Sequence, residues 1–168
     1  MIEPAQKYKE ELQALYYSIW YDDKYKYYNN GCYWSPLDLK EDSWSAHEFV
    51  SIDKDGNILG IIAYETDHTI PAARHFSIIN FGGNHFTFGR DVMQAIADIF
   101  EKYNFCKLSF DVVIGNPIEP TYDKLVAKYG GRVVGIAKDD VILQDHKRYD
   151  IKMYEILRRD YELAKNKY

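Results

Sequence analysis

Between Arg74 and Thr121 the residue pattern changes in an order that leaves few folds open. The run ARHFSIINF reads as a strand, and the GGNHFTFG that follows is a glycine-bearing loop. RDVMQAIADIFEKYN then sets Val92, Met93, Ile96, Phe100 and Tyr103 on one helical stripe, with Gly89 at its start. CKLSFDVVI gives a second strand, which Asn116-Pro117 breaks. A loop that ends in glycine and opens a helix just after a strand turns backbone N–H groups toward one point, and such points hold anions. The stretch predicts a strand–loop–helix–strand unit with an anion site at the loop.

The flanks extend this unit into a sheet. Residues 4–21 predict a helix, with Tyr8, Leu12, Leu15, Tyr16 and Ile19 on one face and Pro4 suited to the first position. Glu48–Asp53 and Ile58–Glu65 predict strands joined by Lys54-Asp55-Gly56-Asn57, where Asp-Gly is a hairpin signal. Phe105–Ile114 is nearly continuously apolar around Asp111, as a central strand covered on both faces would be. Pro120 opens a third helix carrying Tyr122, Leu125, Val126 and Tyr129 on one side, and Gly130-Gly131 ends it. Arg132–Gln144 and Tyr149–Leu157 predict a closing hairpin. The order α, β, β, β, α, β, α, β, β is that of an α+β (α/β) domain, a mixed central β-sheet flanked by helices.

The length of 168 residues suits one domain, 1–168. From Asp22 to Ser45 no period holds. Aromatics are dense there, and Asn29-Asn30-Gly31 and Ser35-Pro36 break the chain, so 22–45 is expected to be a substrate-side lid or specificity segment. A net charge of −5 with mixed signs argues against a nucleic-acid surface. No apolar run approaches the ~20 residues that span a bilayer, and the polar start MIEPAQKYKEELQ carries no secretory signal. No membrane and a cytoplasmic location are expected. Cys106, opening an apolar strand, is expected to be a small buried hydrophobe, whereas Cys32 lies in a polar aromatic loop; the pair has no disulfide-framework spacing.

Several chemistries are excluded. Asp53-x-Asp55-x-Asn57 begins like a calcium loop, but Ile58 and Tyr64 occupy the positions that need Gly and Glu. The five histidines have no zinc spacing with each other or with a cysteine, so no metal is expected. No P-loop lysine follows a glycine run, and Gly89 alone makes no dinucleotide fingerprint.

From about Glu48 to Tyr161 the order resembles the GNAT superfamily, the acyl-CoA-dependent N-acyltransferases. In that family a Gln/Arg-x-x-Gly-x-Gly/Ala loop holds the CoA pyrophosphate. The corresponding loop here is Asn84-His85-Phe86-Thr87-Phe88-Gly89, which keeps only the last glycine. Ile114-Gly115-Asn116-Pro117 and Leu125–Gly131 resemble the family's strand, Asn, helix and Gly-Phe segment, and Tyr149–Glu155 its last strand.

The resemblance implies acetyl-CoA as co-substrate, with its pantetheine arm along the strand edge at Ile78, Ile79, Asn80 and Phe81. It places the pyrophosphate at Asn84, Phe86, Thr87, Phe88 and Gly89, with Arg90 in the first helical turn and Asn116 at the next strand end. Arg90 either meets phosphate or is balanced by Asp91 beside it. The family's proton-donating tyrosine falls at Val126, which cannot serve. Tyr122, one turn earlier on the same face, is the displaced candidate or else a core residue. Glu65, Glu48 and His75 are candidate bases, as is an ordered water. Tyr28, Tyr33, Trp34 and Trp44 would line the amine's side, or else pin the segment to the sheet.

Two functions follow. One is an N-acetyltransferase acting on a primary amine of a small molecule or protein, as a monomer or a homodimer. The other is a catalytically inactive GNAT-like CoA-binding or accessory module, suggested by the degenerate loop and by Val126. An unrelated α/β domain, in which the glycine loop is only a turn, is the third reading.

Overall fold

A computed structural model describes residues 1–28, 35–82 and 85–167. Strand β1 (Ile2–Pro4) leads through a 3₁₀ turn (Ala5–Tyr8) into helix α1 (Lys9–Ile19). Then come β2 (Ala46–Ile52), β3 (Ile58–Asp67), β4 (Ala72–Asn80), α2 (His85–Glu101), β5 (Lys107–Val113), α3 (Glu119–Lys128), β6 (Arg132–Ile142), β7 (Arg148–Leu157) and α4 (Arg158–Lys165). The strands form one seven-stranded sheet in the order β1-β2-β3-β4-β5-β7-β6. All pairs are antiparallel except β4 with β5. The mixed sheet with flanking helices agrees with the expectation.

Several details differ from it, helix α4 beyond the closing hairpin among them. Residues 2–4 form an edge strand and a 3₁₀ turn precedes α1, so Pro4 sits in β1 and caps no α-helix. Helix α2 starts at His85, within the expected loop. Strand β5 alternates in burial instead of being covered on both faces: Leu108, Phe110 and Val112 are buried and Asp111 between them is exposed. Cys106 is exposed, because it precedes the first paired residue of β5 and so lies outside the sheet.

Each face of the sheet has its own core. On one, α2 seats Phe88, Val92, Ala95, Ile96, Ile99 and Phe100 against Ile62, Tyr64, Phe76, Leu108, Phe110 and Tyr154. Tyr122 and Val126 of α3 and Tyr161 of α4 close the same cluster. Each such side chain, fully buried, contributes roughly 1.5–3 kcal/mol. On the other face Ala5, Leu12 and Leu39 cover Val50, Ile52 and Ile61. Gly60 of β3 lets α2 approach closely, since a Cβ there would collide with the Ile79 carbonyl oxygen and the Phe88 ring. No helix among the described residues is long and apolar enough to cross a membrane.

Candidate active site

Strands β4 and β5 are joined at one end only. Their register holds for two pairs, Ala72–Lys107 and Ala73–Leu108, and then the strands part. On its other side β4 pairs with β3 along its length, apart from a bulge that sets two residues of β4 against one of β3. His75 stands in that bulge with φ of 52°, a conformation uncommon outside glycine. The bulge bends β4 away from its parallel neighbour, leaving one edge of β4 free of strand partners beyond Ala73.

A cavity of about 550 Å³ occupies this opening. Its walls come from both sides of the sheet. Tyr64, Phe76, Val112 and Tyr122 belong to the α2-side core, while Ile61, Ala63, Glu48 and Asp111 stand on the opposite face. Tyr27, Tyr28, Leu37, Asp38 and Lys40 form its roof. That roof is anchored: Tyr25 and Leu39 are buried, and Gln13 of α1 holds both the N–H and the carbonyl of Leu37.

Ionisable groups dominate the face opposite α2. Glu48 is buried, and its Oε2 accepts from Gln6 Nε2 at 3.0 Å and from the Lys40 backbone N–H at 2.9 Å. Burial pushes its carboxyl above the usual range, against the pull of Lys40. Glu65 and His75 face each other at 3.9 Å, both well exposed, so the pair contributes little. Asp111 opens onto the cavity yet is partly walled by protein, and that burial raises its carboxyl while His75 draws it down. Tyr122 packs edge-on against Phe110, with centroids 5.0 Å apart, and burial raises its phenol too.

Comparison of the sequence with protein-family models and with curated proteins finds no match. Solved structures do match. A chimera of the spermidine N-acetyltransferase SpeG from Vibrio cholerae with hSSAT is 20% identical, over 91% of this chain and 79% of that one, with a TM-score of 0.59. A second chimera of the same pair reaches 96% and 88% coverage at 21% identity, TM-score 0.60. SpeG from Vibrio cholerae in complex with manganese ions matches over 92% and 77% at 20% identity, TM-score 0.60. This is the GNAT fold.

Within the GNAT frame the sequence candidates fall into three groups. Glu65, His75, Ile78, Ile79, Asn116, Tyr122 and Tyr28 all line the one cavity. Asn116 also does local work, its side-chain oxygen accepting from the Ile118 N–H. Asn80 and Phe81 lie beyond the lining; Asn80 Oδ1 accepts from the Gly82 N–H, and the Phe81 N–H pairs with Leu59. The second group is the start of α2. Phe86 is exposed, Phe88 is a core side chain, and Gly89 is exposed with nothing within 4 Å of where a Cβ would be. Gly89 is the fifth residue of α2, inside the helical ladder, so the helix-start amides belong to His85, Phe86 and Thr87. Arg90 reaches back to Asp91 at 3.2 Å, the charge balance that was one of its two readings. Burial works against the Asp91 carboxylate, but the Met1 amino group, Ser51 and Arg90 hold its pKa low.

Trp44 stands apart. It is exposed and stacked on His68 at 3.8 Å, and is not among the lining residues. Asn84, Tyr33, Trp34 and Cys32 lie outside the described residues. Sequence reasoning passed over Asp111 as an ordinary strand residue. The available signal was a lone carboxylate inside an apolar run, where burying charge is costly without a purpose. Among the described residues no group of three or more His, Cys, Asp or Glu is gathered as a metal site would need.

Proposed function

We propose that the protein is an N-acetyltransferase that moves the acetyl group of acetyl-CoA to a primary amine. The observation that carries this is the parting of β4 from β5, with a cavity between them walled from both sides of the sheet. A strand edge with no strand partner suits an extended amide-bearing arm such as pantetheine, which would add to β4 beside Ile78 and Ile79. The start of α2 would suit the pyrophosphate, since helix N-termini favour anions and the exposed Gly89 leaves room for close approach.

The acceptor would come from the carboxylate side. Asp38, Glu48, Glu65 and Asp111 line it against Lys40 and His75, and Tyr27 and Tyr28 roof it. Such a surface favours an amine with further positive charge. The spermidine acetylated by the structural neighbours is of that kind. For transfer, the carbonyl carbon of the thioester must meet a neutral amine, and the departing sulfur needs a proton. Tyr122 lines the cavity and its raised phenol stays protonated at neutral pH, as a donor must.

One observation favours the second reading, a CoA-binding module without turnover. Val126 fills the family tyrosine's position as a buried core residue, and Tyr122 is packed among Phe110 and Tyr154. Calorimetric titration separates the outcomes. Acetyl-CoA is expected to bind with a Kd of roughly 1–100 μM, about −8 to −5.5 kcal/mol. Binding with release of free CoA on adding spermidine supports the enzyme, and binding without transfer to any of a panel of amines supports the module. Absence of heat and of thermal shift at millimolar acetyl-CoA would sink both.

A further inference from the structure

Asp111 occupies an unusual place. It stands mid-strand in β5 with buried Phe110 and Val112 on either side, so its side chain leaves the sheet opposite α2. It lies three residues past the last β4–β5 pair, where the strands begin to separate, and His75 stands two residues past that pair, in the bulge of β4. The other carboxylates of the cavity have partners. Glu48 is bonded by Gln6 and Lys40, Glu65 faces His75, and Asp38 pairs with Lys40. For Asp111, among the described residues, no donor bonds its carboxylate and no ion pair forms. On the neighbouring elements β7 and α3, Asp150, Glu155, Glu119 and Asp123 all have basic partners.

The titratable groups around Asp111 are few. His75 comes from β4 with Glu65 behind it, Asp140 from β6 and Tyr122 from α3; Tyr28 lines the same cavity, and Met153 lies opposite on β7. We propose that Asp111 is the catalytic residue that takes a proton from the acceptor's ammonium group. The proposal rests on the acetyltransfer reading above.

The ammonium gives one proton to the Asp111 carboxylate, which passes it to solvent. The freed lone pair forms the C–N bond at the thioester carbonyl, the C–S bond breaks, and the nitrogen's second surplus proton ends on the departing thiolate. Amide, free CoA and one released proton balance the reaction. Burial and Asp140 raise the carboxyl, and His75 lowers it; a carboxyl above its usual range is the better proton acceptor near neutrality.

The test uses the full chain, acetyl-CoA, and spermidine as amine probe. Asp111→Asn is expected to lower kcat by ~10²-fold at neutral pH, with acetyl-CoA affinity by calorimetry and the thermal midpoint unchanged. Its deficit should shrink toward alkaline pH, where the amine loses its proton unaided, and the acidic limb of the parent's kcat/KM profile should be lost. Asp111→Ser, smaller and uncharged, should behave alike, which separates lost chemistry from a packing effect. Asn and Ser variants that keep the parent's kcat and acidic limb would overturn the role of Asp111 alone. A parent chain that binds acetyl-CoA but transfers nothing to any amine would overturn the acetyltransfer reading and this role with it.

Discussion

The two ends of the β4–β5 pair differ in almost every physical respect. At the closed end Ala72, Ala73 and Leu108 are wholly buried, and the strands are hydrogen-bonded. At the open end the same strands share no pair, and Glu65, His75 and Asp111 line the cavity. Small and aliphatic side chains let the backbones close in one place, and a bulge at His75 forces them apart a few residues on. The stabilising contacts and the chemically useful gap are thus separated along one strand. Charge at the open end is tolerable because the cohesion lies elsewhere.

That separation can be broken from either end. The largest effect is expected from Leu108→Ala, which empties a fully buried position beside the last pair. A loss of about 3 kcal/mol in urea-induced unfolding is expected, and acetyl-CoA binding should weaken with it because the angle of the opening is set there. A loss below ~1 kcal/mol would show that the closed end does not hold the wedge. Next comes Tyr122→Phe, at the open end. Steady-state kinetics should show kcat down ~10²-fold with KM little changed, and a melting curve close to that of the parent. Unaltered kcat would return Tyr122 to packing and leave the sulfur's proton to water.

The smallest effect concerns Glu48. Burial raises its folded-state carboxyl, so its contribution to stability is greatest below the unfolded value near ~4.3 and is lost as pH rises through the folded value. Between pH 4 and pH 7 the parent should therefore lose stability relative to Glu48→Gln, by on the order of 1 kcal/mol or less. Paired urea titrations at the two pH values measure this. A parent that gains on the variant over that range would mean that Lys40 and Gln6 outweigh burial at this site.

Much of this architecture was legible in residue order. Asp55-Gly56 marked the β2–β3 turn, the Val92-to-Phe100 stripe marked α2, and Gly130, with φ of 66°, ended α3 as read. Local signals of that kind survive in a single sequence. The parting of β4 from β5 does not, because pairing between strands some thirty residues apart leaves no periodic trace. Helix α4 was missed for a different reason: its eight residues are strongly polar on average, and only Tyr161 and Ala164 are buried, so a short apolar stripe was passed over. The candidate site was partly legible through the GNAT resemblance, which led to Ile78, Ile79, Asn116 and Tyr122 in the lining. Asp111 and the burial of Glu48 depend on which face of the sheet is roofed, and the roof is an irregular segment. Trp44, in that segment, pairs with His68 outside the cavity.

Two glycines described above differ in what a side chain would meet. Gly60 is held by the fold, since any larger residue strikes a neighbouring carbonyl and a buried ring. Gly89 has open space around it, and nothing in the fold forbids a side chain there. Under the proposed acyl transfer, a side chain at position 60 would disturb the structure itself, whereas one at position 89 would crowd the cofactor's approach and leave the structure intact.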